Sequence, residues 1–358
     1  KQRARGTGVG AAAAVGIAVA FAPAAQAATF EVNSRLDDGD GTCDATCTIR
    51  DAVDDANADA ASDTITFRAG LSGTIVLDTG ELPIDSAMSI QGPGPDQVRI
   101  SGDANRNNIP DAGDSRIFYV ETDNVGAAND AVSISGLTLL EGYDGANDGG
   151  AIYSNDSDLT LDGMSLTDNT AISGGGEGGA VLAYGGDLTI TNSSLTDNYG
   201  EEQGGAVYVD DASGAPTHAL IVRNTTMSGN YGEDGGGVYV GAEVGSVVIA
   251  DSTFFDNEAD DGGGGIQIEG TEASRALIQN TTVSGNTAGD AGGGVEFEDT
   301  NDLGLRIENS TIAENVAGAD ATGIGGGLYR DASGTGATVL SSTIVANNTD
   351  ETGPNDLA

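Results

Sequence analysis

The sequence predicts an all-β solenoid: a parallel β-helix of about ten coils with a short N-terminal capping helix. Three observations lead there. One motif recurs along residues 149–358. Each copy contains short runs of alternating apolar and polar residues, the mark of strands with one buried face. The 358 residues include 57 glycines and no tryptophan, and few stretches are long and periodic enough for a helix.

The motif is clearest at its end: MSLTDN, SSLTDN, TTMSGN, STFFDN, TTVSGN, STIAEN and STIVAN. The closing residues are Asn169, Asn198, Asn230, Asn257, Asn286, Asn315 and Asn347, spaced 29, 32, 27, 29, 29 and 32 apart. Three before each stands Leu166, Leu195, Met227, Phe254, Val283, Ile312 or Ile344. Eight before stands Leu161, Ile190, Val222, Ile249, Ile278, Ile307 or Val339. Six before, Asn192, Asn224, Asp251, Asn280 and Asn309 mark a turn, because short polar side chains tolerate left-handed backbone. Each copy opens on glycines and another short strand, as in GGAVYV and GGGVEF.

A single coil cannot bury its own apolar face. Stacked about 4.8 Å apart, coils bury a continuous core and pair each other's backbone groups. Equivalent residues then fall into columns, aliphatic inside, with the seven asparagines as a ladder at one turn. Residues 69–148 carry less regular early coils, with strands such as GTIVL, MSIQG and VSISGLTLL.

Residues 1–27 have a basic start (Lys1, Arg3, Arg5), an apolar stretch and AQA at Ala25–Ala27. That is the pattern of a secretory signal peptide. Residues 28–68 are read as an N-terminal cap with the first strand. Thr48 is a good N-cap with Asp51 three residues on, and Ile49, Ala52, Val53 and Ala56 share one helical face. Such a helix would close the open first coil, whose strand edges invite association. Cys43 and Cys47, in an exported chain, are expected to form a disulfide.

CTIRDAVDDANADAASDTITF, from Cys47 to Phe67, resembles the N-terminal signature of the CSLREA-type domain, with Thr, Ile and Asp for that family's Ser, Leu and Glu. The family occurs on secreted bacterial proteins with right-handed β-helix repeats. The resemblance implies a right-handed parallel β-helix and a secreted or cell-surface location, and it implies no defined reaction. NNTDETGPNDLA stops with no evident cap for the last coil, so further coils or an anchor are expected downstream.

Without residues 1–27 the chain has no lysine, and 10 arginines face 56 acids, a charge of −46. This surface repels nucleic acid and anionic lipid. It suits either Ca²⁺ binding or solubility in high salt. No segment beyond the leader is apolar enough to span a membrane.

DANRNNIPDAGD places Asp103, Asn105, Asn107, Asp111 and Asp114 at positions 1, 3, 5, 9 and 12 of a calcium-type loop, with the Ile109 carbonyl at position 7. Asn108 stands where glycine usually turns such a loop. An ordinary polar loop between coils is the competing reading. DDGDG at Asp37–Gly41 is a weaker calcium candidate. Glu177, Glu202, Asp234, Asp261, Asp290 and Asp320 precede the repeat glycines and are expected to form an acidic edge, either cation-binding or solvated. Tyr153, Tyr208, Tyr239 and Tyr329, with Phe297, are expected to share a column, either a platform for sugar rings or packing.

Two functions compete. The first is a non-catalytic adhesion or structural protein engaging an extracellular glycan or cell-surface component, with Ca²⁺ as its cofactor. The second is a Ca²⁺-dependent polysaccharide lyase or glycoside hydrolase. The first is favoured because no copy of the motif is broken, as an active site usually breaks one. Arg223, Arg275, Arg306 and Arg330 are dispersed, and the only histidine, His218, lies in a loop.

Overall fold

A computed structural model describes residues 26–58, 61–122, 131–145, 148–172, 174–211, 218–270, 275–299, 304–318, 323–331 and 336–358. Most of the leader, and Asp320 of the expected acidic edge, lie outside these residues. The strands form four sheets of eleven, ten, nine and nine strands, in keeping with about ten coils. Among the described residues the pairing is parallel with one exception, each strand bonded to its counterpart one coil away, as Leu159 is to Leu188 and Leu188 to Leu220. The one antiparallel pair joins Thr349–Asp350 to Gly353–Pro354.

The aliphatic columns form one core. Leu166, Leu195, Met227, Phe254, Val283 and Ile312 have no exposed surface, nor do Leu161, Ile190, Val222, Ile249, Ile278 and Ile307. Asn192, Asn224, Asp251, Asn280 and Asn309 all have φ near +50°, so the turn six residues before each ladder asparagine is left-handed.

The helix spans Ile49–Asn57, and the Thr48 hydroxyl and Asp51 carboxylate form a complete capping box. Its apolar face joins the core beside Val32, Ile65 and Ile84. Cys43 and Cys47 are bonded to each other. The Asp37 carboxylate is fully engaged: it accepts from the Arg50 guanidinium at 2.9 Å and from Thr79 N–H and O–H at 3.0 and 2.9 Å. Asp37–Gly41 is therefore a strap that fastens the helix.

The last copy of the motif is shifted by one residue. Ile312 pairs with Val345 and Ile307 with Leu340. Ile344 and Val339 thus face outward, 60% and 43% exposed. The seventh ladder position belongs to Asn348 rather than Asn347. The Asn-Asn pair hid the slip, because either residue completes the motif. Gly353–Ala358 then runs beside the strand Leu328–Arg330: Leu328 N–H donates to Asp356 O, Ala358 N–H to Leu328 O and Arg330 N–H to Ala358 O.

Candidate functional site

The asparagine ladder is the spine behind the outer surface. Each Nδ2 donates to the next asparagine's Oδ1 and to a carbonyl one coil back; for Asn257 these are Asn286 Oδ1 at 2.9 Å and Met227 O at 3.1 Å. Each Oδ1 also accepts the backbone N–H of the preceding ladder residue, as Asn257 Oδ1 does from Asn230 N at 3.2 Å. Asp356 ends the ladder, its Oδ1 accepting from Asn348 N and Nδ2 at 3.0 Å. The left-handed residue is the one before each asparagine: Asp168, Asp197, Asp256, Glu314 and Asn347 have φ between 52° and 62°. This turn holds the next side chain, the outward one, in a fixed direction.

Those outward positions include Tyr199 and Tyr231. Their rings stack with centroids 5.1 Å apart and planes 3° from parallel. Tyr199 is 38% exposed, and Phe255, two residues before Asn257, is equally open. The three rings thus flank the ladder on one corner of the solenoid. Sequence reasoning missed them because Tyr199 and Tyr231 are followed by Glu258, Thr287, Val316 and Thr349 in later coils, so no repeated letter marks the column. The signal available was the aromatic residue immediately after a ladder asparagine.

The expected tyrosine column is different in kind. In register it runs Tyr119, Tyr153, Leu182, Tyr208, Tyr239, Gln267, Glu296 and Tyr329. Phe297 is not in it: Phe297 pairs with Ile268 and faces the core. Tyr208 and Tyr239 are only 6% and 3% exposed. Tyr208 donates to Asp210 Oδ2 at 3.1 Å, and burial raises both phenol pKa values. These rings pack; they are not an open platform.

The acidic edge also resolves into two columns. The residues directly before the left-handed repeat glycines are Asp148, Glu177, Gln203, Asp234, Gly262, Ala291 and Ile324. Glu202, Asp261 and Asp290 stand one residue earlier. Burial pushes Glu177 up to about 7, helped by the charges of Asp148, Glu202 and Asp210.

The loop Asp103–Asp114 is closed on itself. Asp103 Oδ1 and Oδ2 accept the N–H groups of Asn107 and Asn108 at 3.1 and 2.7 Å, and Asn108 turns with φ 52°. Asp111 draws in the Asn105 and Asn107 amides at 3.0 and 2.9 Å. Positions 3, 5 and 9 therefore converge, while Ile109 is 61% exposed. Asp114 Oδ1 is buried without a hydrogen-bond partner. Its pKa is raised by burial and by the charges of Asp103 and Asp111. The donor set is all oxygen once the two amides turn, which suits Ca²⁺. Among the described residues, no three His, Cys, Asp or Glu side chains stand grouped to hold a metal by themselves. A groove of about 370 Å³ runs from this loop toward the corner, lined by Asn108, Pro110, Glu141, Asp168, Thr170 and Asp197. Thr170 pairs with Tyr199, so the groove leads onto the aromatic corner.

The dispersed arginines stay apart. Arg223 and Arg306 lie on the eleven-stranded sheet in different coils, and Arg330 on the nine-stranded sheet of the tyrosine column. Arg306 pairs with Glu308. His218 has Asp211 Oδ2 at 3.4 Å.

The family model for the right handed beta helix region matches residues 103–274 and 150–350. The chain belongs to this right-handed β-helix family. The matches include every copy of the motif, and the parallel in-register sheets agree with them. No curated protein and no solved structure matches the chain. No helix among the described residues is long and apolar enough to cross a membrane.

Proposed function

We propose that this β-helix is a secreted or cell-surface scaffold that binds an extracellular glycan and carries out no reaction on it. The observation that carries the reading is the open Tyr199–Tyr231 stack on the ladder corner, with Phe255 beside it and an acidic groove leading to the Asp103–Asp114 loop. Stacked aromatic faces take sugar rings by apolar contact. Ca²⁺ in the loop would offset the like charge that otherwise keeps an acidic glycan away. The leader pattern and the resemblance of Cys47–Phe67 to the CSLREA-type signature support export.

A glycan array read in Ca²⁺ and in EDTA tests this. The chain is expected to bind a subset of glycans, and Tyr199→Ala/Tyr231→Ala to lose that binding with an unchanged melting temperature. Binding indifferent to this double substitution would refute the corner as the site.

A second reading, glycoside hydrolysis, is favoured by Glu177. A glutamate pushed up to about 7 keeps a substantial protonated fraction at neutral pH, as a general acid requires.

A further inference from the structure

The column directly before the repeat glycines carries a side chain in every coil but one. The exception is Gly262, and it sits where the tyrosine column changes to Gln267 and Glu296. A Cβ at Gly262 would stand 1.9 Å from Glu296 Oε2 and 3.3 Å from Gln267 Oε1. The missing side chain therefore leaves a notch that two polar side chains enter. Asp234 reaches the same residue from the preceding coil, its Oδ1 accepting the Gly262 N–H at 3.2 Å. Gln267 and Glu296 are each 4% exposed, and Gln267 Oε1 and Glu296 Oε2 are both buried with no hydrogen-bond partner.

Two buried acceptors at one point, unserved by any donor, are each costly. A positive charge between them removes the cost. We propose that Asp234, Gln267 and Glu296 bind a hard divalent cation, calcium by its oxygen-only donor set, in the notch over Gly262. Ca²⁺ takes six to eight oxygens and accepts an amide oxygen and carboxylates together. Backbone carbonyls and water complete the shell. The surrounding charge fits: burial, with the charges of Glu298, Asp234 and Asp290, pushes Glu296 up to about 8. This site is separate from the Asp103–Asp114 loop, and it ties three successive coils together where that loop serves one.

The test uses the full chain with the loop silenced by Asp103→Asn/Asp111→Asn, titrated calorimetrically with CaCl₂. One Ca²⁺ per chain is expected to remain bound. Glu296→Gln and Gln267→Ala are each expected to weaken it at least about tenfold. Glu296→Gln keeps the shape and lets its amide bond Gln267, so its melt in EDTA should match or exceed that of its parent. The melting temperature should rise with Ca²⁺ only in the parent. No Ca²⁺ uptake by the loop-silenced chain overturns the proposal and leaves a proton shared between the two oxygens in its place. Uptake unchanged by both substitutions also overturns it. Neither result bears on glycan binding at Tyr199 and Tyr231.

Discussion

Asn257 is 1% exposed and bonded to the coils on either side. Replacing it by alanine leaves Asn230 N without its acceptor, takes one of two acceptors from Asn230 Nδ2 and removes the side-chain donor to the Met227 carbonyl. Asn257→Ala is expected to cost about 3 kcal/mol, read from the urea midpoint. Asn192, six residues before Asn198, is exposed and left-handed with φ 53°. Asn192→Gly there should cost well under about 1 kcal/mol, and Asn192→Val more than that. Equal losses from both glycine and alanine exchanges would mean the ladder has no special weight. A second ladder was not legible in the sequence. Ser193, Thr225, Ser252, Thr281 and Ser310 follow the turn residues, and their hydroxyls accept backbone N–H groups from the coil before, as Ser310 does from Thr281 at 3.1 Å. Ser and Thr are common enough on strands that their recurrence carried no signal, whereas asparagine at a fixed interval did.

At the scale of the element, the helix Ile49–Asn57 was readable because its signals are local: an N-cap, an acid three residues on and one apolar face. The strap beneath it was not, since Asp37 meets Arg50 and Thr79 only through the fold. Asp37 has no side-chain exposure. Arg50→Met therefore leaves a buried carboxylate with only Thr79, and should cost about 3–5 kcal/mol. The double variant with Asp37→Asn should recover part of that, and additive losses would argue against the pair. On the outer face of the tyrosine-column sheet, Glu177 and Glu296 have folded pKa values of about 7 and about 8. The folded chain there keeps protons that the unfolded chain releases above the ordinary glutamate range. Stability in EDTA should therefore fall as pH rises from about 5 to about 8, and Glu177→Gln/Glu296→Gln should flatten the slope. A rise across that window would contradict the buried acids. The slips at Asn347 and Phe297 have one cause: with a side-chain period of two, a shift of one residue exchanges core and surface.

The whole molecule is a one-dimensional stack, each coil bonded mainly to its neighbours. Removing residues 258–286, one 29-residue repeat between successive ladder asparagines, rejoins equivalent positions. It should leave the strand signal in circular dichroism intact and lower the denaturant slope by about a tenth. Loss of cooperative unfolding would show that the coils are not interchangeable. Architecture was legible at this scale because repetition wrote it many times. The aromatic corner was not, because Tyr199, Tyr231 and Phe255 interrupt the repetition. Turnover is the most direct measurement: incubate the purified chain with a panel of acidic glycans, with Ca²⁺ and with EDTA, and follow unsaturated products and new reducing ends. A scaffold gives neither with any glycan it binds. Steady release of either product, lost in Glu177→Gln, would contradict the non-catalytic reading and make this β-helix an enzyme.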